Sequence, residues 1–212
     1  MIQETLKKVA AGQDLTYDEA YASMDEIFSG QVPGETTAGY LTALHMKGET
    51  LDEITASANG MRDHAESLPH DGIDVLEIVG TGGDCANSFN ISTTSGIVAA
   101  AAGVPIAKHG NRSVSSKSGA ADVLEALGVN ISISPEKMGK VLAECNMSFM
   151  FAQVYHKAMK YAGPVRKALG IPTVFNILGP LTNPAKAQMQ IMGVSVSYTH
   201  LRAHETTLHL VC

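Results

Sequence analysis

Residues 75–93, Val-Leu-Glu-Ile-Val-Gly-Thr-Gly-Gly-Asp-Cys-Ala-Asn-Ser-Phe-Asn-Ile-Ser-Thr, set an apolar run, a glycine-rich turn and a helix start in immediate succession. Val75, Leu76, Ile78 and Val79 suit a strand covered on both faces, as in a parallel sheet. Gly80, Gly82 and Gly83 carry no Cβ, so backbone N–H groups in the turn can come close to a ligand. Ser92 and Thr93 are expected to cap a helix over 94–102, whose free N–H groups face back toward the glycines. Two readings stand at this point: an ordinary strand-to-helix connection, or a loop that binds phosphate. The dinucleotide fingerprint is absent, since Cys85 stands where its third glycine belongs, and no Gly-Lys-Ser/Thr of a Walker loop occurs.

A second cluster favours the anion. Residues 104–107 read as another short strand, expected to run into a loop, Lys108-His109-Gly110-Asn111-Arg112-Ser113-Val114-Ser115-Ser116. Lysine offers a point charge, arginine a planar fork and serines neutral donors, a set suited to several phosphate oxygens. A solvated basic loop is the plain alternative. Two such loops after successive strands weigh against it, because ligands in open α/β sheets sit at the carboxyl ends of strands.

The remaining sequence divides in two. Thr16 with Glu19 and Thr50 with Glu53 are capping boxes, each opening a segment of helical spacing. A third helix is expected over 36–47, stopping at Gly48. From Val75 onward strands alternate with helices: strands over 75–79, 104–107, 148–151 and 190–194, and helices opening at Ser92, Ala120, Pro135 and His156. The expectation is an α/β fold with a small all-α N-terminal domain over 1–71. The α/β part, over 72–194, is expected to hold an incomplete mixed sheet flanked by helices.

Composition restricts the partners. The 212 residues carry a net charge of −6 with no long basic segment, which points away from nucleic acid and from acidic membranes. No apolar run approaches a membrane span, and the first eight residues lack a signal-like apolar stretch. Three cysteines, Cys85, Cys145 and Cys212, have neither metal-ligand spacing nor an even count, which suits a reducing cytoplasm.

Five motifs then carry a resemblance: Gly80-Thr81-Gly82-Gly83-Asp84, Phe89-Asn90-Ile91-Ser92-Thr93, Lys108-His109-Gly110-Asn111-Arg112, the run 119–125 (Gly-Ala-Ala-Asp-Val-Leu-Glu), and the run 175–184 (Phe-Asn-Ile-Leu-Gly-Pro-Leu-Thr-Asn-Pro). In order and spacing, to about Val194, the sequence resembles the anthranilate phosphoribosyltransferases. That resemblance implies transfer of the 5-phosphoribosyl group from phosphoribosyl pyrophosphate to the amino nitrogen of anthranilate, in tryptophan biosynthesis, with Mg2+ as cofactor. It implies that Gly80, Gly83, Asp84, Ser88, Asn90, Ile91, Ser92 and Thr93, then Lys108, His109, Gly110, Asn111, Arg112, Ser113, Val114, Ser115, Ser116 and Ala120, hold phosphoribosyl pyrophosphate. Gly80, Asn111 and Arg166 would meet anthranilate, and Ser92 would bind the metal. Without the resemblance, Arg166 reads as a surface ion pair on a helix over 158–169. The family further implies a homodimer, a site in the cleft between its two domains, and an extended connection at 179–184. No side chain stands out as a certain catalytic acid or base: an arylamine is neutral near pH 7, which leaves His109 at most an orienting donor.

Two alternatives are a pyrimidine nucleoside phosphorylase-like enzyme and a non-catalytic nucleic-acid-binding relative. The Lys108–Arg112 motif with Arg166 disfavours the first, and the acidic net charge the second. Residues 195–212 show no family resemblance, and the family's acidic Asp-Glu metal pair has no counterpart, so the chain reads as truncated with an unrelated tail. His200 and His204 have the one-turn spacing of a helical metal pair. A non-native tail explains them better.

Overall fold

The computed structural model describes residues 1–80, 89–112 and 118–193. Along the chain come α1 (Ile2–Ala10), α2 (Tyr17–Phe28), α3 (Gly34–Lys47), α4 (Leu51–Asp63), β1 (Leu76–Gly80), α5 (Ile91–Ala101) and β2 (Ile106–Gly110). There follow α6 (Ala120–Ala126), α7 (Pro135–Cys145), β3 (Met147–Phe151), α8 (Ala152–Tyr155), α9 (Met159–Leu169), α10 (Phe175–Leu181) and β4 (Met189–Gly193). They form two compact units: a helical one from Met1–Ala65 with His156–Thr182, and an α/β one from Glu66–Tyr155 with the segment that resumes at Asn183.

In the helical unit both capping boxes are present. Glu19 N–H donates to Thr16 Oγ1 at 3.3 Å while Thr16 N–H donates to Glu19 Oε2 at 3.1 Å, and the Thr50–Glu53 pair repeats this at 3.3 and 2.8 Å. Met24, Ile27 and Phe28 of α2, Tyr40, Leu41 and Leu44 of α3 and Met61 of α4 pack with Val174, Phe175 and Leu178. Each such side chain contributes about 1.5–3 kcal/mol by leaving water. Helix α1, which the sequence reading lacks, buries Ile2, Thr5 and Val9 along one face.

This division differs from contiguous domains at 1–71 and 72–194, because the apolar faces of α9 and α10 are buried with the N-terminal helices. The expected extended connection is also replaced. Residues 179–181 close α10, whose Phe175 and Leu178 face that core, and Thr182 Oγ1 donates to Leu178 O at 2.9 Å.

In the α/β unit the described strands run in the order β3-β2-β1-β4, every pair parallel, not mixed as expected. Parallel neighbours need crossover connections, and the helices between the strands supply them. Val75, Ala107 and Met150 pack against Met138 and Leu142 of α7, while Ile78 and Ile106 pack on Ala100 of α5. Strand β2 extends past the expected boundary and takes in Lys108, His109 and Gly110. Its neighbour β3 continues the ladder to Gly110↔Phe151, and the interior hides both long side chains. The strand expected over 190–194 is β4; Val194 lies outside the described residues, as do residues 195–212 with His200 and His204.

Candidate anion-binding site at the strand ends

Strands β1 and β2 are parallel neighbours ending at Gly80 and Gly110, so both carboxyl ends open on the same rim of the sheet. Helix α5 is the next described element after β1. Its N-cap is Asn90, not Ser92 or Thr93: Asn90 Oδ1 accepts from Thr93 N–H at 3.1 Å, and Thr94 Oγ1 donates to Asn90 O at 2.9 Å. An asparagine side chain reaches the third helical amide as well as a hydroxyl does, which moves the start three residues earlier. Ser92 and Thr93 thereby become first-turn residues. The amides of Ile91 and Ser92 have no carbonyl partner within the helix, and they sit at its positive end. Thr93 is buried, and its Oγ1 has no partner among the described residues.

Lys108 is 3 % exposed, and its Nζ donates to Ile78 O at 2.7 Å. Burial pulls its pKa down to about 8, opposed by the negative charge of Glu77. Among the described residues no carboxylate lies within ion-pair distance of the ammonium. The register Leu76↔Ile106 puts Lys108 on the sheet face of Ile78 and Ile106, with Glu77 and Ala107 on the other. The Glu77 charge therefore acts across the sheet, not by contact.

Glu77, a fully buried carboxylate in β1, is not among the residues expected from the sequence. Gln190 Nε2 donates to its Oε2 at 2.6 Å, and burial pushes the carboxyl pKa up against the amides of Asn183 and Gln190. Asn183 Nδ2 donates to Ala107 O at 2.9 Å and its Oδ1 accepts from Ala185 N–H at 2.8 Å, so the chain returning to the sheet is pinned beside Glu77. A single acid inside an otherwise apolar strand run was the available signal.

The other expected site residues fall as follows. His109 is buried beside Ala107 on the Glu77 face. Gly110 has no room for a side chain, since a Cβ would meet Phe149 Cε2 at 2.7 Å and Ala120 Cβ at 3.4 Å. Asn111 and Arg112 are exposed, with Asn111 O accepting from Ala121 N–H at 3.3 Å and Asn111 Oδ1 from Arg112 N–H at 2.8 Å. The Arg112 guanidinium is held by Glu125 and Asp122. Gly83, Asp84, Ser88, Ser113, Val114, Ser115 and Ser116 lie outside the described residues. Arg166 belongs to α9 in the helical unit: it stacks 5.0 Å from the Phe175 ring centre, burial draws its pKa down, and no carboxylate pairs with it among the described residues. The surface ion pair expected without the resemblance is absent there.

Among the described residues no group of three His, Cys, Asp or Glu could hold a metal. Among the described residues, the metal donor that the resemblance implies is the half-buried Ser92 hydroxyl in the first turn of α5. One neutral oxygen fits a magnesium ion that arrives on a diphosphate and keeps its waters, but not an ion caged by protein alone. No helix among the described residues is long and apolar enough to cross a membrane.

A family model described as "Glycosyl transferase family, a/b domain" matches residues 72–210, and one described as "Glycosyl transferase family, helical bundle domain" matches residues 3–65. The chain belongs to this glycosyl transferase family. Among curated relatives, the anthranilate phosphoribosyltransferase of Lachnoclostridium phytofermentans is 61% identical over 194 residues, covering 92% of this chain and 57% of that protein. The solved anthranilate phosphoribosyltransferase of Thermus thermophilus is 47% identical with a TM-score of 0.86, covering 91% of this chain and 59% of that one. The Saccharomyces cerevisiae enzyme of the same name, in complex with PRPP and Mg, is 30% identical with a TM-score of 0.84, covering 92% and 59%. The yeast enzyme has also been solved with 4-fluoroanthranilate. This chain spans about 57% of the length of the curated relatives it matches.

Proposed function

We propose that this chain carries the phosphoribosyl-binding part of an anthranilate phosphoribosyltransferase. One observation supports this above the rest: a buried ammonium without a carboxylate partner among the described residues, Lys108, stands at the carboxyl end of β2, beside the strand that leads to the amino end of α5. Such a rim suits a diphosphate. In the proposed site Gly80, Asn90, Ile91, Ser92, Thr93 and Lys108, with Gly83, Asp84, Ser88 and residues 113–116, hold phosphoribosyl pyrophosphate. Asn111 and Gly80 border the anthranilate ring, and for Arg166 of the helical unit the resemblance implies a planar fork suited to the anthranilate carboxylate.

The reaction is a displacement at the anomeric carbon. The lone pair of the neutral arylamine forms the C–N bond, the bond to the pyrophosphate oxygen breaks, and the amine proton passes to solvent. The departing group leaves with negative charge, which Lys108 and the amides of Ile91 and Ser92 are placed to stabilise. A magnesium ion carried by the diphosphate, with Ser92 as one ligand, would neutralise more of that charge. No strong base is needed, because the arylamine is already neutral near pH 7. The complete enzyme is proposed to be a cytoplasmic homodimer, as the resemblance implies. The free thiol of Cys145 suits a reducing compartment.

The test is PRPP-dependent loss of anthranilate fluorescence with stoichiometric release of pyrophosphate, alongside calorimetric titration with phosphoribosyl pyrophosphate. Binding of the diphosphate supports the site, and turnover supports the whole reaction. Failure to bind it at millimolar concentration overturns the proposal, and phosphate-dependent cleavage of uridine would replace it with the phosphorylase reading.

A further inference from the structure

The resemblance places Arg112 on the substrate, yet its guanidinium is engaged elsewhere. Arg112 Nη2 donates to Glu125 Oε1 at 2.8 Å, its Nη1 donates to the other Glu125 oxygen, and Nη1 also reaches Asp122 Oδ1 at 3.2 Å. The Arg112 Cζ lies 5.5 Å from the centre of the Phe151 ring. The end-on fork formed by Nη1 and Nη2 is thus occupied by the Glu125 carboxylate. Asp122 is itself tied down, its Oδ2 accepting from Gly119 N–H at 2.7 Å at the start of α6. A further bond, Ala121 N–H to Asn111 O at 3.3 Å, crosses the same gap between the end of β2 and α6.

We infer that Arg112 is a positioning residue, which clasps the end of β2 to α6 through Glu125 and Asp122 and thereby sets Asn111 and Lys108, and that it is not a phosphate ligand. The inference rests on the proposed phosphoribosyl site and deepens it. One ion-pair cluster therefore ties Arg112, just past the end of β2, to the first turns of α6. Phosphate ligation and the clasp make opposite demands on Glu125. A ligating arginine would be released by loss of Glu125, whereas a clasping arginine would lose its purpose.

The experiment compares the full chain with Arg112→Ala, Glu125→Gln, the double variant, and the exchanged pair Arg112→Glu with Glu125→Arg. Two quantities are read in each: amide hydrogen exchange of Ala121, and the Kd for phosphoribosyl pyrophosphate by calorimetry, with thermal unfolding as a control. A clasp predicts that each single variant speeds Ala121 exchange and raises Kd by about fivefold at an unchanged melting temperature. It also predicts that the double variant is no worse than either single one, and that the exchanged pair restores much of the loss. If Arg112→Ala weakens binding while Glu125→Gln leaves it unchanged or tightens it, the arginine is a ligand and the clasp is wrong. Unchanged Ala121 exchange in both single variants overturns it as well. If the unaltered chain does not bind phosphoribosyl pyrophosphate, the functional proposal fails, and the clasp is then judged by the exchange of Ala121 alone.

Discussion

At the scale of single residues, two buried titratable groups give opposite lessons. Lys108 has its pKa lowered to about 8 by burial, so its charge is lost as pH rises through that value. Affinity for phosphoribosyl pyrophosphate should therefore fall about tenfold or more between pH 7 and pH 9.5, and Lys108→Gln should weaken it by about 10–100-fold while abolishing that pH dependence. Calorimetry across this range checks both, and a flat profile for the unaltered chain would reject the role. His156 is the reverse case. Burial depresses its pKa to about 4, with a backbone bond involving Thr182 acting the other way. The unfolded chain binds this proton near pH 6.5, so between pH 6.5 and 4 it holds more protons than the native state, and stability declines as pH falls. The contribution is fully present above pH 6.5 and amounts to about 3 kcal/mol across the window. Urea midpoints of the chain and of His156→Gln between pH 4.5 and 7 should converge at low pH; parallel curves would show that His156 is not the group responsible.

Elements show what a linear reading can and cannot reach. The capping boxes of α2 and α4, and Pro135 at the head of α7, were legible because such signals are local to a turn of chain. The length of β2 was not. Lys108 and His109 look like loop residues until β3 supplies a ladder partner for each of them. The N-cap at Asn90 was missed because Ser92 and Thr93 satisfy the same local rule, and only the hydrogen bond to Thr93 N–H decides among them. Of the candidate site, Gly80, Gly110 and Lys108 were expected from their residue types, and the structure places them at the ends of β1 and β2. Glu77, Asp122 and Glu125 act across strands and helices that no spacing rule connects. Packing between elements yields its own prediction at Gly139 of α7, where an added Cβ would lie 2.3 Å from the backbone carbonyl oxygen of Pro69. A backbone oxygen cannot swing aside, so Gly139→Ala should destabilise by about 2–3 kcal/mol despite alanine's better helix propensity. Chemical denaturation measures this, and a gain in stability would mean that the Pro69 turn shifts freely.

For the molecule as a whole, the described surface of the α/β unit has an apolar side. Strand β4 is outermost in the described sheet and exposes Met189 and Ile191, while α5 exposes Ile97 and Val98, with Phe89 and Ile91 at its amino end. Leucine-sized groups exposed singly are ordinary; several on one strand and the next helix are not. An outermost parallel strand also offers unpaired backbone groups to a neighbour, with no charged side chain within Met189–Gly193 to discourage pairing. This chain expressed alone should therefore self-associate at micromolar concentration, bind a hydrophobic dye and unfold over a broad temperature range. Ile191→Lys together with Val98→Glu should restore much of the monodispersity, because a charge on an edge strand opposes addition of another strand and a charge on α5 breaks up the apolar face. Sedimentation velocity over a concentration series decides the matter. A monodisperse unaltered chain with one sharp unfolding transition would mean that these side chains are covered within the chain itself.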